Sequence, residues 1–378
     1  MSLGLYIHVP FCMRKCLYCD FTSYPINQAQ VANYLRGLEM EIELYLEVLG
    51  LENTSIESIF VGGGTPTSLM SEQLARILER LDRSFSITKD AEITTEANPG
   101  TVNLSELKEL RAAGFNRLSL GVQSTHQELL SLMGRIHDFG QAREALDQAR
   151  QAGFTNINLD LIFGLPQQTL GQWQQTLADI IMLKPEHISC YGLQLEEGTP
   201  LTCSIEQGKL PACSEEDDLA MFQSASAILR AEGYEHYEIS NFARAGYQCR
   251  HNLLYWHNGE YLGFGPGAHS HHNQARWGNV ENIDNYVSLL QSGQQPLAEK
   301  TTLTMKEQME ETVFLGLRML KGLNRIDFQN RFGVAIDQIF AREIARLVRL
   351  GLVKTEDGYL KLTEKGLPIA NQVFLEFV

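Results

Sequence analysis

Cys12, Cys16 and Cys19 carry the densest chemistry in this chain, standing on one short segment, LYIHVPFCMRKCLYCD, at residues 5–20. Three residues separate the first pair and two the second, a spacing that suits three corners of a [4Fe–4S] cubane. With only three protein ligands, one iron keeps an open site, and an open iron takes a small-molecule ligand. The competing arrangement is a structural zinc loop. It needs a fourth ligand, usually in a second Cys or His pair, and none follows nearby.

A second group of residues stands where predicted strands end. Gly62-Gly63-Gly64-Thr65 closes the apolar run Ile56–Val61, so backbone without Cβ atoms can approach a ligand there. By itself such a triplet is usually a turn. Glu96 in EANP, Gln123 in GVQS, Arg135 in MGR and Asp160 in NLDL lie at or just beyond further strand-like runs. Taken singly, each reads as an ordinary solvated polar residue. As a set they fall on the face where α/β barrels assemble their sites.

The elements that must position these groups alternate along the chain. Strand-like runs at Leu3–Pro10, Ile56–Val61, Ile93–Asn98, Leu118–Gln123, Ile157–Phe163 and Ile188–Leu193 are separated by helical spacing, as in Tyr34, Leu35, Leu38, Ile42 and Tyr45. A repeated device marks the joins: Arg111-Ala-Ala-Gly114-Phe115, Arg150-Gln-Ala-Gly153-Phe154 and Arg230-Ala-Glu-Gly233-Tyr234 each place glycine after a helix and an aromatic after the glycine. Six βα units in succession predict parallel strands with right-handed crossovers, in a barrel or an open α/β sheet. From about Leu303 the pattern changes to helices near Met309–Leu320, Arg325–Phe332 and Ile336–Leu350. A hairpin with Asp357-Gly358 at its turn follows. The expected units are therefore 1–235, an aromatic, His- and Gly-rich stretch at 236–302, and a C-terminal winged-helix-like α+β domain at 303–378.

CxxxCxxC after a strand resembles the signature loop of the radical S-adenosylmethionine (SAM) superfamily. The run from Tyr6 to Cys12 is similar to the HemN-like group, which holds the oxygen-independent coproporphyrinogen III oxidases and the HemW heme chaperones. The resemblance implies a partial (β/α)6 TIM-like barrel, a [4Fe–4S] cluster on Cys12, Cys16 and Cys19, and SAM on the open iron. It also implies that Gly63, Gly64 and Thr65 hold the methionine part of SAM. Glu96, Gln123, Arg135 and Asp160 would line the rest of the pocket, with Tyr6 and Tyr18 at the aromatic positions beside the cluster loop.

Within that group two functions compete. The oxidases carry a further cysteine two positions after the third cluster ligand and an extension before the barrel; here Phe21 stands at that position and Tyr6 lies almost at the start. Residues 251–256, HNLLYW, resemble the HNxxYW motif associated with heme in the chaperones, which makes His251, Asn252, Tyr255 and Trp256 heme-binding candidates. Cys249 is an alternative contact. A lone histidine among aromatics is more often a packed, hydrogen-bonded residue than a ligand. His269 is read as part of a GAHS stretch seen in HemW-like proteins, His271 and His272 as surface residues, and Cys190, Cys203 and Cys213 as ordinary thiols. The expected function is a heme chaperone that transfers heme to an acceptor apoprotein, with radical oxidative decarboxylation of coproporphyrinogen III as the alternative.

Composition bounds the partners. A net charge of -15 over 378 residues argues against broad attachment to nucleic acid or anionic lipid. A winged-helix regulator remains the third candidate, since Arg342, Arg346 and Arg349 recur at helical spacing. Yet residues 305–378 hold eleven Lys/Arg against ten Asp/Glu, leaving little field for phosphates. Seven cysteines without a secretion signal fit metal ligation in a reducing cytoplasm rather than a disulfide framework. The expected partners are heme, an acceptor hemoprotein with respiratory, membrane-bound ones among the candidates, and an electron donor for the cluster; no nucleic acid is expected.

Overall fold

A computed structural model describes residues 3–51 and 54–378. Six strands, β1 (Leu3–Val9), β2 (Ser55–Gly63), β3 (Ser86–Ala97), β4 (Arg117–Gln123), β5 (Ile157–Phe163) and β6 (His187–Gly192), lie side by side in chain order and run parallel. Between them run α1 (Gln28–Leu49), α2 (Ser71–Ser84), α3 (Leu104–Ala113), α4 (Gln127–Leu132) with α5 (Phe139–Gln151), and α6 (Leu170–Met182). After β6 come α7 (Pro200–Glu206) and α8 (Glu215–Ala231). This is the partial (β/α)6 barrel.

Side-chain alternation gives the strands two unlike faces. Leu5, Ile7, Val61, Leu118 and Leu120 join Tyr34, Leu38, Leu74, Leu107 and Trp173 in one apolar core beneath the helices. The intervening positions carry Thr94, Arg117, Ser119, Asn158, Asp160, His187 and Ser189; Ser119, Asn158, Asp160, His187 and Ser189 bond among themselves across the barrel interior, while Thr94 Oγ1 and Arg117 Nε are buried without partners. The repeated Gly-aromatic device works as the sequence predicts. Gly114, Gly153 and Gly233 have φ of 117°, 97° and 81°. The N–H groups of Phe115, Phe154 and Tyr234 reach back to the carbonyls of Leu110, Ala149 and Leu229 at 3.2, 3.0 and 3.0 Å.

Residues 236–302, without regular repeat in the sequence, build both edges of the same sheet. Beyond β6, β7 (Glu235–Glu238) forms the sheet edge and β8 (Asn241–Ala243) lies between them, antiparallel to both. β9 (Glu260–Phe264) is a seventh parallel strand, paired with β1, and β10 (His269–His272), β11 (Ala275–Asn279) and β12 (Leu297–Thr302) continue outward as an antiparallel meander. Two helices of this stretch, α9 (Arg250–Trp256) and α10 (Ile283–Gln291), pack onto the barrel. The expected boundary at 235 falls within this continuous sheet. His271 and His272, expected at the surface, are buried on β10, bonded to Gly259 O at 3.0 Å and Glu260 at 3.1 Å, whereas His269 is exposed.

The C-terminal residues form a second core around Val313, Phe328, Leu347, Leu360 and Val373. It contains α11 (Met305–Leu317), β13 (Leu323–Asn324), α12 (Arg325–Phe332), α13 (Ile336–Ile339), α14 (Ala341–Leu350) and the hairpin β14 (Val353–Glu356)–β15 (Tyr359–Leu362). Asp357 and Gly358 turn the hairpin with φ of 51° and 82°. The single helix expected over 336–350 breaks at Phe340, where φ is -113° and ψ 31°, as that ring enters the core. Among the described residues no helix is long and apolar enough to cross a membrane.

Candidate functional site

The three cysteines lie on the loop after β1, at the C-terminal ends of the barrel strands. Cys12 is buried and Cys16 and Cys19 are half-buried; all three are free thiols. Backbone bonds pin the loop: Tyr24 N donates to Pro10 O (2.9 Å), Leu17 N to Met133 O (2.9 Å) and Leu201 N to Leu17 O (2.9 Å). Burial pushes the Cys12 thiol up and the Cys19 thiol to about 11. Metal binding must therefore displace protons here, and iron supplies the cationic charge that holds the thiolates. Among the described residues no three His, Cys, Asp or Glu side chains converge on one point as a single metal ion requires. Cluster thiolates each bind a different iron, so three thiols need not meet at one point to hold a cubane.

Close approach explains the glycines. A Cβ on Gly64 would sit 2.5 Å from Phe11 O, and Thr65 N donates to that same oxygen at 2.7 Å. Gly63, with φ 110°, leaves room for the His8 ring and donates its N–H to Glu96 Oε2 at 3.2 Å. The cluster loop and the GGGT strand end are thereby locked together. Tyr6 bonds His8 Nδ1 at 3.2 Å beneath this junction, and Tyr18 packs against Leu129, Met133 and Leu165 behind the loop.

A ring of polar contacts joins two of the thiols. Thr65 Oγ1 donates to Cys12 Sγ (3.5 Å), Asn98 Nδ2 to Thr65 Oγ1 (2.8 Å), Arg135 Nη2 to Asn98 Oδ1, and Arg135 Nη1 to Cys16 Sγ (3.4 Å). Asn98 is the residue sequence reading missed, although it stands two positions after Glu96 in the same EANP stretch. A narrow cleft opens beside the ring, lined by Met13, Cys16, Thr65, Asn98, Arg135 and Ile136.

Several groups at this end lack partners. Gln123 Oε1 and Arg135 Nε are buried without hydrogen bonds, and Gln123 holds the left-handed φ of 66° that a non-glycine residue rarely adopts. Burial, and then the Asp160 charge, pushes the Glu96 carboxyl up to about 8. Asp160 itself accepts from Ser119 Oγ (2.7 Å) and Asn158 Nδ2 (2.8 Å). Orphaned donors and acceptors around two carboxyls match a polar, cation-bearing ligand such as SAM.

The HNLLYW residues stand at the other end of the barrel. His251 is buried against the early residues of β1 and β2; a Cβ on Gly4 would lie 3.3 Å from its ring. Both ring nitrogens are bonded, Nδ1 to Ser58 Oγ (2.9 Å) and Nε2 to the Tyr255 hydroxyl (2.8 Å), while its backbone N–H donates to Glu92. Burial, then the Arg117 charge, pulls its pKa to about 3. Cys249 donates its thiol to Glu92 at 3.4 Å, burial pushing it up to about 12. Asn252, Tyr255 and Trp256 are half-buried on the same helix. A series of hydrogen bonds spans the distance between the two ends: Asp160, Asn158, His187 and Tyr237 follow one another through side chains, the Cys249 backbone N–H donates to the Tyr237 hydroxyl, Cys249 Sγ and the His251 backbone N–H donate to Glu92, and the His251 ring bonds Tyr255.

Comparison with known proteins gives the same outline. Residues 6–180 match the Radical SAM superfamily and residues 303–369 the HemN C-terminal domain. The chain is 37% identical over 374 residues to the heme chaperone HemW of Bacillus subtilis (strain 168), covering 99% of this chain and 98% of the relative. It is 36% identical to the heme chaperone HemW of Mycobacterium tuberculosis (strain ATCC 25618 / H37Rv), covering 98% and 93%. A solved structure of coproporphyrinogen III oxidase (HemN) from Escherichia coli, described as a radical SAM enzyme, superposes with a TM-score of 0.87 at 27% identity, covering 100% of this chain and 90% of that one.

Proposed function

The chain belongs to the heme chaperone HemW family within the radical SAM superfamily, and from that membership we propose that it binds heme and transfers it to an acceptor apoprotein. Full-length similarity to HemW, across both the barrel and the C-terminal domain, carries this reading. Cys12, Cys16 and Cys19 hold the [4Fe–4S] cluster as thiolates. Gly63, Gly64 and Thr65 admit the methionyl end of SAM, Arg135 and Gln123 give it hydrogen bonds, Glu96 and Asp160 face its polar and cationic groups, and Tyr6 and Tyr18 shield the loop from water. When bound, the cluster supplies one-electron chemistry and an open iron for SAM. An electron donor for that cluster belongs to the proposal.

For heme, Tyr255 and Trp256 offer an aromatic wall. His251 reaches iron only by exchanging its Tyr255 bond for the metal, with Asn252 beside it on the same turn. Adding heme to the anaerobically reconstituted protein tests the reading: a Soret shift that needs His251, with no decarboxylation, is expected. Iron and sulfide analysis tests the cluster, and full content in Cys12→Ala sinks that assignment. The shared fold favours one other reading, decarboxylation of coproporphyrinogen III. Turnover to protoporphyrinogen IX with reductant and SAM would establish it in place of the chaperone. Phe21, 60% exposed where the oxidases place a cysteine, speaks against it.

A further inference from the structure

Arg318 caps α11, where the C-terminal domain closes against the edge of the barrel. Ile239 N donates to Arg318 O (3.1 Å) and Leu320 N to Tyr237 O (3.0 Å), so the segment is stitched to β7 by its backbone. Its guanidinium lies over the Trp256 ring, 4.3 Å from the centroid. Burial lowers its pKa, the Glu238 carboxyl and then the Tyr191 hydroxyl act in the opposite direction, and neither of these bonds it. Glu238 Oε1 is taken by Ser240 N (3.1 Å) and Asn241 Nδ2. Four polar atoms at this junction are buried without partners: Arg318 Nε, Trp256 Nε1, Glu238 Oε2 and Asn241 Oδ1.

An arginine taken out of water has a strong demand for a carboxylate or phosphate that meets its planar fork. Trp256 adds an unpartnered N–H donor beside the guanidinium, which itself covers one face of the indole. Two donors and a ring together select a flat, apolar ligand that carries an acid group. Resting on the heme reading above, we infer that Arg318, with Trp256 Nε1, forms the subsite for a carboxylate of the bound tetrapyrrole, a heme propionate. The C-terminal domain thereby contributes directly to cargo recognition, and the last residue of the motif, Trp256, acts as the hinge between ring contact and acid contact. Glu238 and Asn241 complete the junction as acceptors for ordered water or for a protonated acid.

The test compares heme with heme dimethyl ester, whose propionates cannot ionise, by titration into the full-length reconstituted protein. The wild type is expected to favour heme over the diester by about ten-fold or more, the range of a charge-assisted hydrogen bond. Arg318→Gln should lower heme affinity to the diester level and leave diester affinity unchanged, with Arg318→Lys keeping part of the preference. Equal wild-type affinity for both ligands overturns the subsite while leaving heme binding intact. Equal loss of both ligands in Arg318→Gln overturns it as well, because that is the signature of damaged packing. If the wild type binds neither, the heme reading fails and the subsite falls with it.

Discussion

At the residue scale, the site depends on side chains whose importance is positional rather than chemical. Asn98 has no reactive group, yet it links Thr65 on Cys12 to Arg135 on Cys16. Residues that hold metal ligands in place through hydrogen bonds change metal affinity or activity by about ten- to a hundred-fold. Asn98→Ala should therefore lower cluster retention during gel filtration and alter the reduced cluster's EPR spectrum with SAM, while far-UV circular dichroism stays native. An unchanged spectrum would show that the ring is only packing. His251 allows a sharper comparison. Tyr255→Phe removes the hydroxyl on Nε2 and leaves the imidazole in place. If His251 ligates heme, this variant should bind heme more tightly than the wild type, by roughly the few-fold to ten-fold of one neutral hydrogen bond, read from a Soret titration.

At the element scale, one buried carboxylate organises the β1 side of the barrel. Glu41 on α1 accepts from Gly265 N (2.7 Å) after β9, Asn279 Nδ2 (2.6 Å) at the end of β11 and the Tyr286 hydroxyl (2.6 Å) on α10. Burial is the largest influence on it and outweighs these bonds, raising the carboxyl to about 7. Because the folded value lies above the ordinary carboxylate value, the stabilising balance is complete below that ordinary value and is lost as pH rises through about 7. Thermal unfolding of the ligand-free protein should accordingly shift down between pH 5 and pH 8, and the Glu41→Gln profile should be flatter. Glu41→Ala leaves three buried donors unmatched, at about 1–3 kcal/mol each before relaxation. A strong drop in Tm is expected, together with loss of protection in α10 by hydrogen exchange.

For the whole molecule, the C-terminal domain is held to the sheet by a clamp. Arg276 on β11 donates to both oxygens of Glu311 on α11 (2.7 and 2.8 Å), while Asn258 bonds Thr312 (3.1 Å) and Arg331 donates to Asn258 O (3.0 Å). The pair is bidentate and partly shielded, so its loss should cost about 1–3 kcal/mol of docking rather than unfold either core. Arg276→Ala is predicted to quicken proteolysis between residues 303 and 325 with the barrel fragment intact. Cleavage no faster than wild type would assign the docking to the apolar contacts instead.

What the sequence determined by itself is local and periodic. Cysteine spacing, the GGGT strand end, six alternations of strand and helix, the Gly-aromatic joins and the Asp357-Gly358 turn are all written in short windows, because each obeys a rule of backbone geometry over a few residues. Of the four polar positions read at strand ends, Glu96 and Gln123 stand at the ends of β3 and β4, whereas Asp160 lies midway along β5 and Arg135 beyond α4. Only the tertiary structure placed β9 beside β1, since residues 257 positions apart in sequence pair there, Leu3 with Glu260 and Gly4 with Tyr261. It alone put the HNLLYW helix at the end of the barrel remote from the cysteines, and it alone joined Arg318 to Trp256 and Asn98 to Arg135. Those pairings arise when the faces of separate elements are folded against one another, and no window of sequence contains both partners.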